Sequence, residues 1–146
     1  MALWKQTVDL ATANAWSAGT LMQALGIRIT EIGDDYLRGT LPVDARTRQP
    51  YGILHGGASV ALAETLGSTA AMLCCEPGRA TVGLDINANH LRAVRDGLVT
   101  GTARPIHIGR STQVWEIRIE NAAGELTCIS RLTMAVVPGS AFGLAK

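Results

Sequence analysis

Hydrophobic residues along the chain recur with two spacings, one typical of helices and one of strands. Apolar positions at helical spacing predict short helices at residues 5–15 and 19–25, which we expect to cover one edge of a sheet. The stretch from Gly56 to Leu73 is apolar on most sides and predicts one long, buried helix. Such a helix needs apolar neighbours around it, so we expect the sheet to wrap around it.

Strands are predicted on both sides of the long helix. Before it, an alternating pattern begins at Gly26 and resumes at Tyr36 after a tight turn. The clearest strand runs from Ser111 to Glu120, where apolar and charged residues alternate, and residues 121–124 predict a hairpin turn after it. The other strand-like stretches are residues 80–94, 97–108 and 125–137. No helical pattern separates the last four strands, so the sequence predicts an α+β fold with an antiparallel sheet around a central helix.

Length and composition narrow the class of protein. A chain of 146 residues with 47% hydrophobic content fits one compact domain, residues 1–146. A net charge of +1 gives no general electrostatic reason to bind nucleic acid or an anionic membrane, so we expect neither as a partner. Three cysteines without a metal-binding spacing favour reduced thiols, no metal site and a cytoplasmic location. No stretch indicates a leader or a membrane span.

Glu64 is the only charged residue within the apolar helix and is the leading candidate for chemistry. A carboxylate in apolar surroundings loses hydration, which costs several kcal/mol unless the group is paired, hydrogen-bonded or protonated. One interpretation is a structural ion pair, although no residue three or four positions away on the helix is basic. The other is a general base or a nucleophile.

The start of the same helix offers a second chemical element. Unpaired backbone N–H groups and the positive end of the helix dipole at Gly56 and Gly57 suit a carbonyl oxygen that gains negative charge. Gly56 and Glu64 are roughly 12 Å apart along a helix axis, too far to act on one atom. If both serve one site, that site combines the helix start of one subunit with the middle of the helix of another, and a symmetric dimer forms it twice.

Three further residues near these groups are candidates. Ser68 follows Glu64 by one helical turn and could hydrogen-bond its carboxylate or a water molecule, or be a tolerated small residue. Gln49 and His55 lie on the loop before the helix and could orient water or the carbonyl. His55 could equally be a loop histidine with a structural hydrogen bond.

The motif from Gln49-Pro-Tyr-Gly through His55-Gly-Gly to Glu64 and Ser68, with the segment from Asp85 to Arg92, resembles the hotdog-fold acyl-CoA thioesterases. The matching branch is that of 4-hydroxybenzoyl-CoA and phenylacetyl-CoA type enzymes, which carry a glutamate on the central helix.

The resemblance implies a hotdog fold, dimers joined edge to edge, and two dimers packed as a homotetramer with sites between subunits. It implies that Glu64 attacks the thioester or activates water, that the Gly56 N–H polarises the carbonyl, and that Gln49 and His55 assist from the other chain. Ser68 stands where relatives carry Thr. No cofactor is expected, and an aryl or enoyl acyl group is expected from the resemblance alone.

Coenzyme A carries phosphates, so a nearly neutral chain needs a local basic rim to bind it. The candidates for substrate contacts are Gly57, His90, Arg92, Arg95, Arg104, His107 and Arg110. Each arginine could instead be a solvated strand end, and His90 could line the acyl pocket or make a structural hydrogen bond. The adjacent Cys74 and Cys75 are interpreted as core packing or the end of the helix.

Two other functions compete with thioester hydrolysis. An acyl-thioester dehydratase would also combine a histidine with a helix acid, but the His-Phe-Pro type motif of such enzymes is missing. A non-catalytic acyl-CoA binding module would keep the pocket without needing Glu64.

Overall fold

The computed structural model describes residues 3–142, so the first two and last four residues of the expected domain lie outside the described part. The helices are α1 (Leu10–Ala15), α2 (Leu21–Leu25), α3 (Gly56–Leu73) and a final 3-10 turn at Gly139–Phe142. The strands are β1 (Arg28–Ile32), β2 (Leu37–Pro42), β3 (Arg79–His90), β4 (Leu98–Ile108), β5 (Thr112–Glu120) and β6 (Leu126–Pro138).

All neighbouring strands of the six-stranded sheet are antiparallel, and their order is β1-β2-β4-β5-β6-β3. The helix α3 packs against the inner face of this sheet, touching β2 through β6. This confirms the predicted α+β hotdog architecture, and α3 has the bounds that its apolar run predicted. Among residues 3–142, no helix is both long and apolar enough to cross a membrane.

The rotation of α3 is fixed by a close contact with two glycines of the sheet. Side-chain carbons of Leu66 would lie 2.7 Å from a methyl group placed on either Gly39 or Gly101. Both β2 and β4 therefore need glycine at the position against which this leucine packs. Successive residues on a helix are about 100° apart, so Glu64 points roughly the opposite way from Leu66. Packing of the core therefore turns Glu64 away from β2 and β4, toward the β3 side of the sheet.

The first predicted helix, residues 5–15, is wrong in its first half. The backbone N–H groups of Lys5 and Gln6 donate to the Leu73 carbonyl at 2.8 and 3.1 Å, which ties this segment to the end of α3. The helix begins only after Asp9, whose side chain accepts from the Thr12 N–H at 2.7 Å as an N-cap.

The helix α1 covers the β1 edge, as expected, whereas α2 packs against α3. The Asn14 amide binds both backbone polar groups of Ile29: its Oδ1 accepts from the Ile29 N–H at 2.9 Å and its Nδ2 donates to the Ile29 carbonyl at 2.8 Å. This side chain takes the place of a neighbouring strand at the β1 edge. The outer edge of β3 pairs with no other strand among residues 3–142, and Leu84 on it is 63% exposed.

Candidate active site

Glu64 lies in the middle of α3 and is half-buried rather than enclosed, which corrects the expectation of a fully buried acid. Its carboxylate rests against the backbone of β3, because a methyl group placed on Gly83 would be 2.6 Å from Glu64 Oε1. Within residues 3–142 the carboxylate makes no hydrogen bond and no ion pair. The structural ion-pair interpretation therefore has no partner among the described residues of a single chain.

A groove beside Glu64 runs along the face of α3 that the sheet leaves open. It consists of two adjoining cavities of about 360 and 450 Å³ that share Ser68 and Thr69. The remaining lining is largely apolar and consists of Gln6, Leu21, Met22, Ala61, Glu64, Thr65, Met72, Gly78, Arg79, Ala80, Thr81, Val82 and Phe142. This arrangement can hold an apolar group next to the carboxylate.

Ser68 lines the groove with Glu64 but does not bind the carboxylate in this chain. Its hydroxyl donates to the Met134 sulfur at 3.7 Å. The expected hydrogen bond from Ser68 to Glu64 is thus absent, because the side chain turns toward β6 rather than along the helix.

His55 is the N-cap residue of α3, with extended backbone angles. Its ring Nδ1 accepts the Gly57 N–H at 2.8 Å, so in the neutral ring the proton sits on Nε2. The expectation of a free N–H at Gly57 is therefore wrong, since capping occupies it. The Gly56 N–H makes no hydrogen bond within the described residues and is the open donor at this helix end.

A cavity of about 370 Å³ opens at this helix start, and Gln49, Gly56, His90 and Arg92 all line it. The His90 ring lies over Gly56, because a methyl group on Gly56 would be 2.9 Å from His90 Nε2. The side-chain oxygen of Gln49 accepts the Tyr51 N–H, which leaves the amide NH₂ group for other partners. Glycine at position 56 therefore keeps the backbone N–H accessible beneath an imidazole and beside an amide.

The two halves of the candidate site do not meet within one chain. Gly56 lines one cavity and Glu64 lines another, and they are about 12 Å apart along the axis of α3. Gly83 beside Glu64 and His90 beside Gly56 both lie on β3, the strand with the open edge.

The basic residues expected to hold phosphates lie in separate places. Arg92 lines the Gly56 cavity, where its guanidinium is 3.6 Å from the Glu125 carboxylate. Arg104 lies on β4 and pairs with Asp35 at 2.7 Å, near the turn between β1 and β2 and toward the β1 end of the sheet. A single chain therefore does not gather these cations into one rim.

The remaining expected cations do not line the Gly56 cavity. Arg95 follows β3, and its carbonyl accepts two hydrogen bonds from the Arg48 guanidinium. His107 lies near the hairpin between β4 and β5, 2.7 Å from a methyl group placed on Gly109. Arg110 lines a larger cavity of about 810 Å³ at the far end of α3, which neither Gly56 nor Glu64 lines.

Cys74 and Cys75 border that larger cavity at the end of α3, and both are buried. Burial raises the pKa of the Cys74 thiol to about 12 and also raises the pKa of Cys75. Both thiols are therefore protonated near neutral pH and are poor nucleophiles.

Sequence reasoning missed Gly83. The predicted strand at residues 80–94 gave its location on β3, but its contact with Glu64 depends on a β-bulge between Gly83 and Asp85. An irregularity of one residue has no signature in the alternating pattern, so only the sheet register reveals it.

Comparison with known proteins identifies the family. Residues 51–128 match the Thioesterase superfamily. The chain is 50% identical over 135 residues to 1,4-dihydroxy-2-naphthoyl-CoA hydrolase of Escherichia coli, covering 92% of this chain and 98% of that protein. It is 52% identical over 135 residues to the proofreading thioesterase EntH of Cronobacter turicensis, again covering 92% and 98%.

A solved structure has the same fold over nearly its whole length. The crystal structure of the thioesterase HI1161 from Haemophilus influenzae superposes with a TM-score of 0.92 at 52% identity, covering 94% of this chain and 96% of that one. Matches of this extent, together with the sheet wrapped around α3, show that the chain belongs to the thioesterase superfamily of hotdog-fold hydrolases.

Proposed function

We propose that this thioesterase hydrolyses acyl-CoA thioesters at a site shared between two subunits. In each site Glu64 of one chain is the nucleophile or general base, and the Gly56 N–H of the other chain polarises the thioester carbonyl. Gln49 and His55 orient the carbonyl or the attacking water beside Gly56. The products are a free acid and coenzyme A.

The observation that carries this proposal is that each of the two cavities holds only part of the groups that the reaction needs, and each has what the other lacks. One has an accessible N–H donor at the positive end of a helix, and no carboxylate is among its lining residues. The other has an unpaired carboxylate beside an apolar groove and lacks a free backbone donor from the helix start. Thioester hydrolysis needs both elements within a few ångströms of one carbonyl.

The open edge of β3 supports a dimer that brings them together. Antiparallel pairing of β3 with β3 of a second copy would join two sheets into one and satisfy the unpaired edge. Along the strand register, the midpoint between Gly83 and His90 is Asn87, because Leu84 is the extra residue of a bulge. A two-fold axis at this point would place Gly83 of one chain opposite His90 of the other. Glu64 lies beside Gly83 and Gly56 lies beside His90, so the carboxylate of one chain would face the helix start of the other.

The two chemical routes differ in what the carboxylate does. As a base, Glu64 takes a proton from water while the water oxygen attacks the thioester carbon, and the departing thiolate then takes up the proton. As a nucleophile, Glu64 itself forms the bond to carbon and expels the coenzyme A thiolate. Water then hydrolyses the resulting anhydride, which releases the free acid, restores the Glu64 carboxylate and supplies the proton that the thiolate takes up. In both routes negative charge builds on the carbonyl oxygen, where the Gly56 N–H and the dipole of α3 stabilise it.

The acyl group fits the groove beside Glu64. Its lining of Leu21, Met22, Ala61 and Met72 suits an apolar acyl group. The E. coli relative is named for a naphthoyl-CoA substrate, which supports an aryl acyl group here, with an enoyl group as the alternative.

The coenzyme A part of the bound substrate would extend from the carbonyl into the cavity at Gly56. His90 and Arg92 line that exit and are the nearest candidates for contacts with it. Arg95, Arg104, His107 and Arg110 are so dispersed in one chain that any role for them depends on assembly. We propose a cytoplasmic homotetramer made of two such dimers.

Replacement of Glu64 tests the catalytic assignment. Glu64→Ala and the near-isosteric Glu64→Gln should each lower kcat on an aryl-CoA thioester by at least about a hundredfold, as expected when an acid/base group is removed. A matched control is Glu76→Ala, which removes an exposed carboxylate just beyond the end of α3 that pairs only with Lys5. That variant should keep wild-type kcat.

Hydrolysis at the wild-type rate by folded Glu64→Ala would refute the assignment. Tight binding of acyl-CoA without turnover by the wild-type protein would favour the non-catalytic module. Hydration of an enoyl thioester without release of free thiol would favour the dehydratase.

A further inference from the structure

The β-bulge in β3 determines which residue lies against Glu64. Toward the end of the strand, Ile86 pairs with Leu132 of β6, and their side chains point toward α3. Counting back two residues from this pair, an uninterrupted strand would set Leu84 opposite Met134. In the structure Gly83 occupies that position instead, because Leu84 is the extra residue of the bulge.

This shift replaces a leucine side chain with a hydrogen atom on the inner face of the sheet. Met134 is buried at 1% exposure, so its β3 partner faces α3, whereas Leu84 is 63% exposed. The Glu64 carboxylate fills the freed space, with Oε1 2.6 Å and Cδ 3.7 Å from where a methyl group on Gly83 would be. A leucine opposite Met134 would occupy the position of the carboxylate.

Backbone conformation does not require glycine at this position. Gly83 is absent from the glycines with positive φ, so an alanine would adopt its backbone angles without strain. The nearest atom outside Glu64 to an added methyl group is Met134 Sδ at 3.9 Å, an ordinary contact. The one group that must move is the end of the flexible Glu64 side chain.

We propose that Gly83, presented by the β3 bulge, is a positioning residue that holds the Glu64 carboxylate in its reactive place. The inference depends on the proposed catalytic role of Glu64 and extends it to a backbone position that lies against the carboxylate. The bulge thus couples the register of the edge strand to the geometry of the site.

Gly83→Ala tests this inference because it changes little else. An ordinary contact distance of about 3.4 Å or more requires Oε1 to shift by about 0.8 Å, and misplacement of about 1 Å costs on the order of a hundredfold in rate. We expect kcat to fall by about tenfold to a hundredfold, KM to change by less than about threefold, and the melting temperature to stay within a few degrees. Thr133→Ala, on the outer face of β6 beside the bulge, is the control and should retain wild-type kcat.

A double-mutant cycle distinguishes positioning from a general structural effect. In the Glu64→Ala background Gly83→Ala should have no further effect on the residual rate. Glu64→Asp is one methylene shorter, so in the Gly83→Ala background it should lower kcat by less than it does in the wild-type background.

Each outcome bears on a different claim. If Glu64→Ala is inactive but Gly83→Ala has wild-type kcat, this inference is wrong while the proposed function stands. An equal loss from Gly83→Ala with and without Glu64 would also overturn it. If Glu64→Ala remains fully active, the proposed function itself fails. Should Gly83→Ala not fold, the Glu64→Asp/Gly83→Ala pair, which relieves the collision, is compared with Glu64→Asp alone: a similar kcat of the two supports the inference, and a further fall of more than about tenfold contradicts it.

Discussion

A shared site predicts that two inactive variants restore activity when their subunits exchange. Glu64→Ala removes the carboxylate half, and Gln49→Ala alters the half that surrounds Gly56, so each homodimer carries two defective sites. In a mixed dimer one site combines the intact Glu64 of one chain with the intact Gln49 of the other. The second site collects both substitutions.

The size of the recovery follows from counting sites. Random exchange of equal amounts gives about half mixed dimers, each with one intact site of two, so activity should recover to about a quarter of the wild-type value. Pairing two dimers into a tetramer leaves this fraction unchanged. The separation of about 12 Å between Gly56 and Glu64 along α3 excludes complementation within one chain, so recovery requires two copies.

The assay follows release of free thiol with a chromogenic reagent. Cys74, Cys75 and Cys128 are buried, and burial raises the pKa of each, so the folded protein contributes little background. Exchange is verified by isolating mixed dimers with two different affinity tags.

A second mixture serves as the control. When the Glu64→Ala/Gln49→Ala double variant exchanges with an equal amount of wild type, every mixed dimer loses both sites, and activity should fall from about a half to about a quarter. Isolated mixed dimers without activity in the first mixture, and no fall in the second, would refute the shared site.

Three further predictions concern stability. Gln113→Ala removes the buried side chain that accepts from Trp115 Nε1 at 3.0 Å, so it should lower the free energy of unfolding by about 2–3 kcal/mol in urea titrations, against little change for Thr112→Ala. Asn14→Ala uncovers the edge of β1 and should cost about 1–2 kcal/mol with increased light scattering on heating; an unchanged urea midpoint would contradict this. Burial in the folded chain raises the pKa of Cys74 from 9.0 to about 12, so the folded state holds this proton more tightly than the unfolded state does. The stability that this difference contributes is fully present below pH 9 and is lost as the pH rises toward 12. Cys74→Ala should therefore lose less stability over that interval than wild type, and equal slopes would show that this thiol does not contribute.

The long helix and most strands were predictable because each has one dominant physical cause. An apolar run bounded by His55-Gly56 at its start predicted α3 with its observed bounds. Trp115, Ile117 and Ile119 alternate with charged residues and are all fully buried, as the pattern of β5 predicted. The first helix was misjudged because the helical spacing of Leu10, Ala11 and Ala15 does not extend back over residues 5–9, whose backbone binds the end of α3 instead of forming helical turns.

The candidate site was predictable in its residue types and not in its contacts. Gly56 and His55 follow from the chemistry of a helix start, but which N–H the His55 ring occupies depends on its side-chain rotamer. Ser68 has the right spacing from Glu64, yet Met134 on a distant strand takes its hydroxyl hydrogen. Contacts between distant segments depend on sheet register, and a register shift of one residue reverses which side chains face the helix.

The half-buried state of Glu64 changes where its desolvation cost falls. A fully buried, unpaired carboxylate would destabilise the folded chain by several kcal/mol, whereas Glu64 in the single chain keeps part of its contact with water. Pairing at the β3 edge and entry of an acyl group into the groove would both remove that water. The cost then falls on assembly and substrate binding, where apolar burial by Leu21, Met22 and Met72 can offset it. The chain can therefore fold with a partly solvated acid and complete its desolvation only when an acyl group enters the groove, the condition under which a carboxylate is most reactive.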